Sequence, residues 1–90
     1  MGDEVETGYA LCRKGSSLVK GPTARGGPHE VSIKLACPRG SKLIGVSHHH
    51  PGGSLRLSER DRQTAREKKL GIVCVSAKGK RPKCYHFPRR

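Results

Sequence analysis

Aromatic side chains are almost absent from this sequence, which has no tryptophan, one phenylalanine and two tyrosines among 90 residues. Aromatic residues bury the largest apolar areas, so their scarcity predicts a thin hydrophobic core. We expect one small domain over residues 1–90. The same scarcity argues against a nucleic-acid platform on which successive bases stack, because such a platform needs several aromatic rings.

Long apolar runs are absent as well. A membrane-spanning helix needs about 20 predominantly apolar residues, and no stretch approaches that length. The first residues, Met1-Gly2-Asp3-Glu4, lack the basic and apolar regions of a signal peptide. We therefore expect a cytoplasmic protein with no membrane partner.

The four cysteines include no C-x-x-C pair. This spacing disfavours a zinc ribbon, which holds its metal through such pairs. In a reducing cytosol we expect free thiols that behave as small, partly buried apolar residues, with disulfides as the alternative. The cysteines concerned are Cys12, Cys37, Cys74 and Cys84.

Acidic residues are scarce beside basic ones: seven Asp and Glu stand against 19 Lys and Arg, giving a formal net charge of +12 and a sequence pI of about 10.2. Such a charge favours acidic partners, either nucleic acid or an acidic protein surface. Solubility and nonspecific binding to nucleic acid are the simpler explanations.

Histidine, by contrast, is concentrated in one place. On an extended strand, His48 and His50 share a face and His49 points the other way, because side chains alternate with period two. A short loop later, Ser58 opens a predicted helix that also carries Asp61. Two imidazoles and a carboxylate leave one coordination position open for water, so the pattern indicates a single-metal hydrolytic centre.

Capping is the alternative explanation for the second half of this pattern. Ser58 is a good N-cap, and an acid at the third helical position forms a variant of the capping box without any metal. The combination with the two histidines leads us to favour the metal role for Asp61.

The remaining pattern predicts four strands, one helix and two strands, an α+β arrangement. Residues 30–36 show the cleanest alternation of apolar and polar side chains. Turn-forming residues predict a mobile loop over 21–28 and a basic turn over 78–83. The predicted strands are 8–13, 17–20, 30–36, 43–50, 72–75 and 84–87, and the predicted helix is 58–70.

The spacing H-x-H-x7-S-x2-D, formed by His48, His50, Ser58 and Asp61, resembles the signature of the JAMM metalloproteases, the metal-binding branch of the JAB/MPN domain. His49 departs from this family, in which Ser or Thr is common at that position. The four fixed identities at set spacing make the resemblance specific.

An earlier segment, Glu6-Thr7-Gly8, is similar to the glutamate-containing E-T-G-G segment of the same family, although Tyr9 replaces the second glycine. Glu4 is a rival for Glu6, because it lies two residues earlier and on the same face of an extended segment. The following Thr-Gly favours Glu6.

The resemblance implies a JAB/MPN-like curved mixed β-sheet with one main helix after the H-x-H strand. It implies one zinc ion per chain bound by His48, His50 and Asp61, with Glu6 as general base and Ser58 as hydrogen-bond donor to the oxyanion. The implied substrate is a peptide or isopeptide bond in a polypeptide or a ubiquitin-like protein conjugate. The alternative is a RadC-like or non-catalytic JAB-domain module that binds nucleic acid or an acidic protein partner.

Overall fold

The computed structural model describes residues 5–27, 31–51 and 54–87, and in them a curled mixed β-sheet carries one helix. The strand order is β2-β1-β4-β5-β6, and β3 also pairs with β1. The elements are β1 (Thr7–Lys14), β2 (Ser17–Lys20), β3 (Ala24–Arg25), β4 (Lys42–His50), α1 (Glu59–Glu67), β5 (Ile72–Ala77) and β6 (Lys80–His86).

The centre of the sheet is the antiparallel pair β1 and β4, followed by the parallel pair β4 and β5. Parallel neighbours need a crossover connection, and the segment containing α1 provides it. Alternate side chains of the strands face this helix, which buries Ala65 against them. The buried core cluster consists of Val46, Leu57, Ala65, Leu70, Val73 and Val75.

The helix begins as predicted and ends earlier. Ser58 is the N-cap, and its Oγ accepts a hydrogen bond of 3.1 Å from the backbone N–H of Asp61. The helix stops at Glu67, and Lys69 adopts a positive φ of 55°. This turn brings Leu70 into the core, where it is 4% exposed. Within the described residues, no helix is long and apolar enough to cross a membrane.

The predicted strand over 30–36 is wrong for its described part. Residues 31–38, hereafter the covering segment, pair with no strand. The physical reason is that both edges of β1 are already taken, by β4 on one side and by β2 and β3 on the other. Ile33 nevertheless packs against the core, so the alternation of apolar and polar residues reflects burial of one face of the segment and not hydrogen bonding to a neighbouring strand. Glu30 lies outside the described residues.

Two predicted loops are also partly wrong. The loop over 21–28 contains β3, which pairs with the start of β1, and Pro28 lies outside the described residues. The basic turn over 78–83 is limited to Lys78 and Gly79, because Lys80 already begins β6. In both cases the turn-forming or charged composition concealed a strand at the edge of the sheet, where charged residues are common.

The expectation of free thiols is wrong, since all four cysteines form disulfides. Cys74 and Cys84 are directly opposite each other on β5 and β6. Cys12 of β1 is bonded to Cys37, which attaches the covering segment to the sheet. The sequence separations of 25 and 10 residues gave no sign of these pairings, because only the strand register makes the partners neighbours.

Candidate metal centre

Glu6, His48 and His50 converge on one face of the sheet. In the register of β1 and β4, Thr7 lies opposite His49, which places the preceding Glu6 across from His50 on the next position of the ladder. Side-chain alternation then brings both histidines and the glutamate to the same face. One potential ligand atom from each of the three lies within 4.8 Å of the others.

His50 is held in a defined tautomer. Its Nδ1 lies 2.9 Å from the backbone oxygen of Ser54. A carbonyl oxygen only accepts hydrogen bonds, so Nδ1 carries the hydrogen and the lone pair of the neutral ring is on Nε2. Nε2 faces Glu6, at 3.9 Å from Oε1. A hydrogen bond from one ring nitrogen to a carbonyl, with the other nitrogen directed at a shared space, is the usual support of a metal-binding histidine.

His48 is the most deeply buried polar residue of the site, with 7% of its surface exposed. Its Nδ1 has no hydrogen-bond partner among the described residues and lies 4.0 Å from Oδ2 of Asp61. Burial lowers the pKa of His48 below its ordinary 6.5, Asp61 acts in the opposite direction, and His50 lowers it further. The ring is therefore neutral at neutral pH, which is the form that binds a metal ion.

Asp61 and Ser58 reach the same space from the helix. Both line a cavity of about 450 Å³ together with Glu6, His48 and His50. The group of three donors within 4.8 Å does not include Asp61, whose carboxylate instead faces His48. The structure thus brings together all five predicted site residues around one cavity, with one carboxylate beside each imidazole.

His49 lies on the opposite face, as the alternation predicts. Its Nδ1 is 3.0 Å from Oγ of Ser76 on β5, and the Ser76 hydroxyl donates to the backbone oxygen of His48 at 3.4 Å. These bonds connect the two parallel strands just behind the candidate ligands. Glu4, the rival of Glu6, lies outside the described residues.

The donor spacing suits a small divalent ion. Two atoms bound tetrahedrally to one zinc at about 2.0–2.2 Å lie roughly 3.3 Å apart. The two carboxylate–imidazole pairs stand at 3.9 and 4.0 Å, so shifts of well under ~1 Å bring them to that distance. A buried imidazole nitrogen without a partner is costly, and a metal ion would satisfy it.

The cavity has a floor and two walls. The floor is the sheet, which contributes Glu6 from just before β1, three residues of β4 and Val73 of β5. The helix α1 forms one wall, and the covering segment forms the other with Val31, Ser32, Ile33 and Leu35. Sequence reasoning missed the covering segment as part of the site. Its alternation signalled one buried face, but nothing in the pattern showed that this face lies over a cavity.

No family model and no curated protein matches this sequence. Among solved structures, the chain is similar to AF2198, a JAB1/MPN domain protein from Archaeoglobus fulgidus. The TM-score is 0.58 at 22% sequence identity, and the match covers 90% of this chain and 69% of that chain. The chain has the JAB1/MPN fold. The curled mixed sheet with one helix after the His48-x-His50 strand is therefore confirmed as the architecture expected for a JAB1/MPN domain.

Proposed function

We propose that this JAB1/MPN domain is a zinc-dependent metallopeptidase that hydrolyses a peptide or isopeptide bond. His48, His50 and Asp61 would hold one zinc ion, and Glu6 would act as general base. The observation that carries the proposal is the buried Nδ1 of His48, which has no hydrogen-bond partner among the described residues and faces the Asp61 carboxylate at 4.0 Å.

The two carboxylates are assigned different roles because they are held differently. Asp61 lies in the first turn of α1, where its backbone N–H donates a hydrogen bond to Oγ of Ser58. Glu6 precedes β1, has a longer side chain and lies 3.9 Å from His50. A fixed anion suits a ligand, and a longer side chain beside the ion suits proton transfer. The JAMM resemblance assigns the same roles.

The chain's own groups account for the rest of the reaction. Bound zinc would supply Lewis acidity for amide hydrolysis. Glu6 would take the proton of the attacking water and deliver it to the leaving amine. Ser58 accepts the N–H of Asp61 through its oxygen, so its hydrogen remains available for donation to the oxyanion of the tetrahedral intermediate. A polypeptide or a ubiquitin-like conjugate is the proposed substrate class.

The test combines metal content with activity. Wild type and Glu6→Gln should each contain one zinc per chain after dialysis, whereas His48→Ala and Asp61→Asn should contain none. Cleavage of a quenched peptide and isopeptide panel should fall at least ~100-fold in Glu6→Gln, since general-base catalysis contributes that much. Glu59→Gln is the matched control, because Glu59 lies in the same helical turn as Asp61 but does not line the cavity.

Other outcomes have definite meanings. Loss of zinc in Glu6→Gln with retention in Asp61→Asn would mean that Glu6 is the metal ligand and Asp61 the general base. Absence of stoichiometric zinc in wild type at saturating concentration would refute the metallopeptidase.

A RadC-like binding module is the second candidate, and one observation favours it. Arg62 and Lys83 both lie over the ring of Tyr85, at 5.5 and 5.2 Å from its centroid, beside the exposed basic residues of β6. Such a surface attracts anionic partners. Salt-sensitive binding of DNA or RNA, together with no hydrolysis of any peptide, would support this candidate over the enzyme.

A further inference from the structure

The helix wall of the cavity carries a basic stripe made of Arg60, Thr64 and Lys68, with Lys68 at the C-cap. These residues are four apart in sequence, and residues with that spacing lie along one face of a helix. All three line the same cavity as the candidate metal ligands. The cations of the stripe therefore border the space in which a substrate would lie.

The cations of this stripe form no ion pair within the described part of the chain. The ion pairs found there join His48 to Asp61 and His50 to Glu6, and no carboxylate lies within 4.0 Å of Arg60 or Lys68. Arg62, on a neighbouring face of α1, is placed differently, over the ring of Tyr85. Arg60 and Lys68 are exposed and directed toward the cavity without such a contact.

The wall formed by the covering segment is mainly apolar. Val31, Ile33 and Leu35 line it together with Ser32, and Leu35 is 37% exposed although it is a large hydrophobic residue. A cavity with a basic wall facing an apolar wall fits a ligand that carries an anionic group and an apolar group on opposite sides.

The charge balance of the cavity points the same way. Its lining includes two carboxylates, Glu6 and Asp61, and two cations, Arg60 and Lys68, so these four charges cancel. A divalent ion at the proposed site would leave the cavity with two net positive charges. In a protein of formal charge +12, this field favours anionic substrates.

We propose that this cavity selects peptides with an acidic side chain beside the scissile amide. The carboxylate would lie on Arg60 and Lys68, and a neighbouring apolar side chain would lie against Ile33 and Leu35. Arg60 presents a planar guanidinium that pairs with a carboxylate through two parallel hydrogen bonds. This inference rests on the proposed function, because it places the substrate across the proposed metal centre.

The test measures binding separately from turnover. Zinc-loaded Glu6→Gln serves as the receptor, because it should hold zinc without cleaving. Fluorescein-labelled hexapeptides that contain Glu beside a Leu are compared with the same peptides that contain Gln. The Glu probe should bind about 5-fold more tightly, a modest ratio because the cations are exposed. The preference should disappear when Arg60→Gln and Lys68→Gln are both introduced into this Glu6→Gln receptor. It should persist when Arg66→Gln is introduced instead, because Arg66 lies on α1 but does not line the cavity.

Turnover provides the second readout. In wild type, the same preference should appear as a lower KM with little change in kcat, because binding contacts made equally in the ground and transition states act on KM. Arg60→Glu/Lys68→Glu should shift the preference to a Lys-containing peptide. Equal affinity of Glu6→Gln for the Glu and Gln probes would overturn the inference. Preferential binding of the acidic probe without cleavage by wild type would instead refute the peptidase and leave the anion-selective cavity standing.

Discussion

The sheet floor of the cavity and the covering segment are positioned by different kinds of interaction. In the floor, β1 and β4 form an antiparallel ladder, and its register at the Thr7 end places Glu6, His48 and His50 on one face. The covering segment has no ladder. It is held by the bond between Cys12 and Cys37 and by packing of Ile33 on the core.

This difference cannot be read from the sequence, because the covering segment has the cleaner strand pattern. It alternates apolar and polar residues over 31–35, whereas β1 and β4 contain consecutive apolar residues, yet of these three segments only β1 and β4 pair with other strands. Alternation reports that one face of an extended segment is buried, and it does not report what the backbone groups bond to. A segment without ladder bonds opens more easily than a strand in the centre of a sheet. Glu6, His48 and His50 therefore lie on the more rigid side of the cavity.

Removal of the Cys12–Cys37 bond should have the largest effect on the covering segment. The double variant Cys12→Ala/Cys37→Ala should lose about 3.5 kcal/mol of unfolding free energy, because a closed loop of roughly 25 residues is released in the unfolded chain. Urea denaturation monitored by circular dichroism measures this loss. Hydrogen exchange should accelerate over residues 31–38 before it does over β4.

The other disulfide is the matched control. Cys74→Ala/Cys84→Ala releases a loop of 10 residues and should cost less, about 2.7 kcal/mol. It joins two strands that also share ladder bonds, so exchange over residues 31–38 should not change. Equal exchange of the covering segment in both variants would show that Cys12–Cys37 does not hold it in place.

The disulfides also bear on the expected location, since such bonds are rare in a reducing cytosol. The two disulfides therefore argue against the cytoplasmic location that we expect from the sequence.

The sequence was a good guide where local spacing determines geometry. The positions of His48 and His50 follow from strand alternation, and Ser58 caps the helix as its identity and position predicted. The fold class followed from the order of elements and from the resemblance of the H-x-H-x7-S-x2-D spacing. In these cases, residues close in sequence determine the outcome.

It was a poor guide where distant residues meet. The sequence could not show that Glu6 lies across from His50, which depends on the register of β1 with β4. It could not show that Cys12 meets Cys37, or that β3 takes the edge of β1 that residues 31–36 would otherwise need. Each of these is a choice among competing partners, and that choice is made by packing of the whole sheet.

The rigidity of the floor can be tested at Gly45. A Cβ at this buried position would overlap the backbone oxygen of Ile72 on β5, which cannot move without breaking the parallel pairing. We expect Gly45→Ala to cost about 3 kcal/mol in urea denaturation, at the upper end for overpacking. Gly71→Ala is the control, because its Cβ would make only an ordinary contact of 3.6 Å with the oxygen of Ile44, and it should change stability by less than ~0.5 kcal/mol. A tolerated Gly45→Ala would mean that the floor adjusts as readily as the covering segment.

The contact between the two regions can be isolated at Gly8 and Ile33. A Cβ on Gly8 would lie 2.6 Å from Cδ1 of Ile33 and 2.8 Å from the backbone oxygen of Ser47. Gly8→Ala and Ile33→Ala should each destabilise the protein, but truncation of Ile33 removes the overlaps with its Cδ1 and Cγ1 and leaves only the overlap with the oxygen of Ser47. The double variant should therefore lose about 1 kcal/mol less than the sum of the single losses, a coupling typical of residues in contact. Ile33→Ala combined with Gly71→Ala should be additive, since no atom of Ile33 lies within 4 Å of a Cβ at Gly71. Additivity in both pairs would show that Gly8 and Ile33 are not energetically coupled. The Cys12–Cys37 bond alone would then hold the covering segment over the cavity.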